Sequence, residues 1–214
     1  MATYKDGING PIKGKIGSVI ASCWRGIYYL KSVAEKSSKP ASPAQLRQRE
    51  AFSMVSTWLK PLKTLIWTGF QAFNAGKTPM NEAISFVMKA AVSVEAEEVR
   101  INYSSVVFSR GNLLPSTVQE ILDLGNDVLR IKWDNFRNST FCKADDKATF
   151  VFYNPAKGEF ATFEHIADRG DKMVDLQFPV NYTGDVLHAY MYFVNASGNL
   201  VSTTVYLGEY KINC

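Results

Sequence analysis

Two histidines, three cysteines and scattered carboxylates are the groups in this 214-residue chain that could do chemistry. His165 and His188 each fall in a predicted strand, and neither has a second histidine at a metal-binding spacing. Glu164-His165 with Asp168 and Arg169 would suit proton transfer, but a polar strand end entering a turn accounts for the same residues. A phosphate loop needs Gly, four residues, then Gly-Lys-Ser/Thr. Gly14-Lys15 is followed by Ile16, with Asn9 where the first glycine belongs, and Gly76-Lys77-Thr78 has Gln71 in that place. Asp145-Asp146 and Asp123/Asp127 lack the spacing of a calcium loop. Cys23, Cys142 and Cys214 are odd in number and widely scattered, which speaks against a zinc site and a disulfide framework and fits a reducing compartment. The expectation is a chain without catalytic activity, cofactor, metal or small-molecule substrate.

The stretch Gly10 to Phe52 carries more information. Lys13, Lys15, Arg25, Lys31, Lys36 and Lys39 are interleaved there with Trp24, Tyr28 and Tyr29. Cations for a phosphate backbone and rings for base stacking are what a single-strand nucleic-acid surface uses. The plainer reading is a solvated lysine rim around a packed aromatic hairpin. Residues 1–50 hold nine Lys/Arg against three Asp/Glu, while residues 101–214 hold ten against thirteen, within a net charge of +4. Such a split suits nucleic acid, and equally head-to-tail attraction between identical subunits. Ile20-Ala21-Ser22-Cys23 has the form of a lipoprotein cleavage box, but the apolar run before it is short and broken by Gly17 and Ser18. No run approaches the roughly 18 apolar residues of a membrane span. A cytoplasmic or virion/assembly-associated setting is expected.

These residues need a frame. Ser18–Trp24 and Ile27–Ser32 are β-prone runs joined by Arg25-Gly26, a two-residue hairpin turn. Alternation puts Val19, Ala21 and Cys23 on one face and Ile20, Ser22 and Trp24 on the other. Neither face is polar, the pattern of a strand covered on both sides. Ser42-Pro43-Ala44-Gln45 has the form of a capping box with proline at the first helical position. Phe52, Val55, Leu59, Leu62 and Ile66 then form an apolar stripe, which Pro61 kinks or splits. A second helix is expected from Met80 or Asn81 to Ala91, with Asn81 as cap, followed by a β pattern over Val99–Ser109. From about residue 113 short strands recur: Val128–Trp133, Lys147–Tyr153, Phe160–Ile166, Lys172–Phe178, Leu187–Val194 and Val201–Leu207. Their spacing predicts an antiparallel β-sandwich of the fibronectin-III/immunoglobulin-like kind. The expected class is α+β, an N-terminal β-hairpin plus helices (1–110) packed beside the sandwich (111–214).

Gly14-Lys15-Ile16-Gly17, Ser22-Cys23-Trp24-Arg25-Gly26 and Lys39-Pro40-x-Ser42-Pro43-Ala44-Gln45-x-x-x-Arg49-x-x-Phe52 together resemble an uncharacterised family of Bacteroidota proteins. The Trp133 strand and the His188-Ala189-Tyr190 to Tyr206-Leu207-Gly208 end are similar too, so the resemblance spans nearly the whole chain. It implies no activity. The segment from Pro40 to Phe52 also looks like part of small phage- and prophage-encoded proteins. The expected function is a non-enzymatic, self-assembling structural subunit of a phage-like or filamentous assembly, with Lys13, Lys15, Trp24, Arg25, Tyr28, Tyr29 and Lys31 as candidate interface. The partner expected is the chain itself, with nucleic acid as second choice and no membrane. A third reading is a carbohydrate- or protein-binding sandwich.

Overall fold

The computed structural model describes residues 3–4, 10–35, 39–73, 76–95 and 98–213. The chain divides into two compact units, residues 1–42 and 43–214.

The first unit is an antiparallel sheet of β1 (Thr3–Tyr4), β2 (Ile12–Ile16), β3 (Val19–Trp24) and β4 (Ile27–Ser32), in that spatial order. Arg25 and Gly26 join β3 to β4 with φ of 51° and 82°, the two positive angles that a tight hairpin turn with the strand twist requires. The Gly-rich lead-in at residues 5–9 and Lys36 lie outside the described residues.

The second unit opens with α1 (Pro43–Leu59), which starts at the expected proline. Pro61 then splits the helical run: a 3-10 turn over Lys60–Leu62 hands on to α2 (Lys63–Gly69). The stripe is largely as read, with Val55, Leu59, Leu62 and Ile66 buried. Phe52 is the exception, at 53% exposed. In α3 (Pro79–Ala90) the cap is Thr78, not the expected Asn81, and its hydroxyl accepts the Asn81 N–H at 3.2 Å, so the helix starts at Pro79, just ahead of the expected Met80 or Asn81. A hairpin of β5 (Val92–Glu95) and β6 (Glu98–Ile101) follows.

The β pattern read over Val99–Ser109 continues as a strand only to Ile101. Beyond a 3-10 turn at Tyr103–Ser105, the amides of Phe108 and Ser109 donate to the Thr204 hydroxyl at 3.1 and 2.8 Å. A side chain occupies those donors in place of a neighbouring strand.

The sandwich pairs a three-stranded sheet with a four-stranded one. Its strands are β7 (Thr117–Asp123), β8 (Val128–Asp134), β9 (Lys147–Asn154), β10 (Glu159–Asp168), β11 (Met173–Gln177), β12 (Val186–Val194) and β13 (Val205–Lys211). One sheet has the order β11-β8-β7, the other β10-β9-β12-β13. This is a fibronectin-III-like arrangement. Leu129, Ile131 and Trp133 of β8 point inward against Phe150 and Phe152 of β9 and Met191 and Phe193 of β12.

The outward side chains of the same central strands are buried as well. Val151, Tyr153, Tyr190, Tyr192 and Val194 share a second core with Val55, Leu59, Ile66, Ala83 and Val87 from the helices. The larger sheet is therefore the middle of three layers. A boundary near residue 110 does not describe this packing, because the helices cover the sandwich they precede, and the compact unit runs from residue 43.

Candidate interaction site

The register of the first unit decides which of the candidate residues can act together. Residues directly opposite one another in antiparallel strands share a face. Lys15 faces Ile20, which faces Lys31; Ser22 faces Tyr29; Trp24 faces Ile27. Lys13 shares that side with Lys15, two residues along the strand. One face of the sheet thus collects Lys13, Lys15 and Lys31 with Trp24, Ile27 and Tyr29. Arg25 sits in the turn with its guanidinium carbon 5.7 Å from the Trp24 ring centre, a cation–π contact at the end of the same face.

Tyr28 is separated from the others. It lies opposite Cys23, and Leu30 lies opposite Ala21, on the reverse face with Ile12, Ile16 and Val19. That face carries no charged side chain among its described residues. The sheet is two-faced: basic and aromatic on one side, apolar on the other.

β3, the strand expected to be covered on both sides, is buried only at Ala21 and otherwise half-buried or, at Trp24, exposed. In β4 beside it all six residues are exposed, with Ile27 at 63% and Leu30 at 68%. In this unit only Ala21 is a buried hydrophobic among the described residues. Among the described residues no strand pairs with the outer edge of β4. Ile27 and Leu30 were not singled out by sequence reasoning, although the Ile-Tyr-Tyr-Leu run with a single following lysine is the signal of an unprotected edge.

The residues that suggested proton chemistry are dispersed. His165 is exposed in a bulge of β10, at φ 54°, where the pairing to β9 shifts between Phe163 and Ala167. His188 is packed against Tyr103 at 4.6 Å, with Nδ1 2.9 Å from the Tyr206 hydroxyl and 3.7 Å from Glu209. Burial lowers its pKa, outweighing the Glu209 carboxylate, and holds the ring neutral. Burial also pushes the neighbouring Tyr103 phenol up to about 12, so it does not ionise near neutrality.

Asp168 pairs with Lys147 and opens the 3-10 turn over Arg169–Asp171. Arg169 is buried and ion-paired with Asp146. Thr78 of Gly76-Lys77-Thr78 is a helix cap. Cys142 is buried and Cys23 half-buried, both as free thiols, while Cys214 lies outside the described residues. Among the described residues no cluster of three His, Cys, Asp or Glu could hold a metal, and no helix is long and apolar enough to cross a membrane.

The second unit adds an apolar groove between α1 and α3, lined by Phe52, Ile84 and Met88 and rimmed by Gln48, Asn81 and Lys89. The fold defines a β-rich α+β protein whose sandwich is backed by helices, preceded by a small two-faced sheet. The chain belongs to a family of unknown function (DUF6266), whose pattern matches residues 11–208. That span includes β2, β3 and β4 as well as nearly all of the sandwich. No curated protein matches the chain.

Proposed function

We propose that this protein is a non-enzymatic structural subunit that self-associates through its N-terminal sheet. The observation that carries the reading is β4: six consecutive exposed residues, four of them large and apolar, at an unpaired sheet edge. A sheet this small, exposing apolar groups on both faces, buries too little of its own surface to be stable alone and gains by being covered. Natural edges are normally blunted by bulges, prolines or inward charges. Ile27–Ser32 contains no bulge in its pairing to β3 and no proline. The likeness of the Pro40–Phe52 segment to parts of small phage- and prophage-encoded proteins leans this reading toward a phage-like or other filamentous assembly.

Light scattering over a concentration series tests the reading. The full chain is expected to exceed the mass of one subunit at micromolar concentration, and Tyr28→Glu with Leu30→Glu to reduce it to one. A parent chain that stays monomeric at the highest concentrations sinks the proposal.

One observation favours a second reading, single-stranded nucleic-acid binding: Lys13, Lys15 and Lys31 share a face with Trp24 and Tyr29. It requires an affinity for oligonucleotides that falls steeply with salt and disappears when the three lysines are replaced together. No binding even at low ionic strength excludes it.

A further inference from the structure

The backbone of β4 says how its edge can be used. The Val33 N–H donates to the Ser18 carbonyl at 3.0 Å. In an antiparallel ladder, the N–H and C=O of one residue point to the same neighbour, and successive residues alternate. Val33, Lys31, Tyr29 and Ile27 therefore direct their backbone groups at β3, and Trp24 with Ile27 closes the two-residue turn in the same sense. Tyr28, Leu30 and Ser32 direct theirs at the open edge.

We propose that β4 pairs antiparallel with β4 of a second copy, about a two-fold axis perpendicular to the sheet at Tyr29. This deepens the self-association reading and rests on it. Such an axis keeps like faces together, so the two sheets merge into one with a single basic face and a single apolar face. Tyr28 and Leu30 of the second copy then exchange both backbone bonds, as do Leu30 and Tyr28. Their side chains meet on the apolar face as an aromatic–aliphatic pair. On the basic face Tyr29 meets Tyr29, and Lys31 lies across from Ile27.

Charge selects this arrangement. Lys31 is the only charged residue of Ile27–Ser32 and stands near one end. Antiparallel self-pairing about Tyr29 sends the two lysines to opposite ends. A parallel, in-register pairing would set Lys31 directly beside Lys31, which is destabilising. The strand is thus self-complementary in only one of the two directions.

The test uses the full chain and two variants. Proline at position 30 removes an N–H that points to the edge and leaves the ladder to β3 intact. Leu30→Pro is expected to give the mass of one subunit in light scattering where the parent gives two or more. Tyr29→Cys, with Cys23 and Cys214 replaced by serine, is expected to form a disulfide-linked dimer on mild oxidation. A parent that is itself monomeric overturns both this proposal and the self-association reading. An oligomeric parent with an equally oligomeric, folded Leu30→Pro overturns edge pairing alone and leaves association through a face of the sheet. If Leu30→Pro fails to fold, the Tyr29→Cys cross-link decides: a linked dimer upholds the proposal and its absence overturns it.

Discussion

Arg169 and Asp146, each 1% exposed in its side chain, form a buried ion pair in the sandwich, with Nε 3.0 Å from Oδ2. The Nε–H is not aimed along that line, so the contact is ionic and not a directed hydrogen bond. The guanidinium carbon lies 3.8 Å from the Phe193 ring centre, and Nη1 donates to the Leu114 carbonyl at 2.8 Å. The Asp146 carboxylate also accepts the Lys143 N–H at 3.0 Å. Arg169 thus ties the approach to β7 and the loop before β9 to β12.

Removing one partner of such a pair strands the other charge away from water. Arg169→Ala should cost about 3–5 kcal/mol in urea unfolding. The double variant Arg169→Met with Asp146→Leu should lose less than the sum of the two single changes, because neither charge is then left alone. Strict additivity would show that the pair is not coupled.

Trp58 of α1 packs its ring against the sheet and the segment that precedes the sandwich. Its ring lies 5.2 Å from both Tyr153 and Phe160 and within 6 Å of Tyr103 and Phe108. Trp58→Ala should destabilise the second unit by about 3 kcal/mol. Phe52→Ala, on the same helix but exposed, should change stability by only about 0.5 kcal/mol or less. Equal losses at the two positions would contradict the three-layer packing.

His188 gives the stability curve an acid-side slope. Its folded pKa lies below the ordinary 6.5, so the unfolded chain takes up the proton first as pH falls. Its contribution is undiminished above that ordinary value and is lost progressively as pH drops from 6.5 toward the folded pKa. His188→Gln should flatten that part of the curve, measured by denaturant midpoints between pH 7 and pH 5. An unchanged slope in the variant would assign the acid sensitivity elsewhere.

Much of this architecture is legible in the chain. The Arg25-Gly26 turn, the helix start at Pro43, the split at Pro61 and the alternation of Leu129, Ile131 and Trp133 all follow from local rules. β7 escapes them because its pairing to β8 shifts between Val118 and Glu120, and that bulge breaks the apolar alternation. The helical cover over the sandwich had a signal in Ala189–Val194, which has no polar face, as a strand buried on both sides requires. The Arg169–Asp146 pair had none, since partners 23 positions apart carry no local pattern. At the candidate interface, the residue types were legible but their sides only in part. Alternation along Ile27–Ser32 already parts Tyr28 from Tyr29, and the register adds which residues of β2 and β3 share each of their faces.

Amide hydrogen exchange along β4, followed as a function of protein concentration, tests the central claim most directly. Self-association through this edge predicts that the Tyr28 and Leu30 amides exchange freely in dilute solution and become protected as concentration rises. The Tyr29 and Lys31 amides, already bonded to β3, should be protected throughout. If Tyr28 and Leu30 stay unprotected at every concentration while Tyr29 and Lys31 are protected, the edge of β4 is not where this protein meets its own copies.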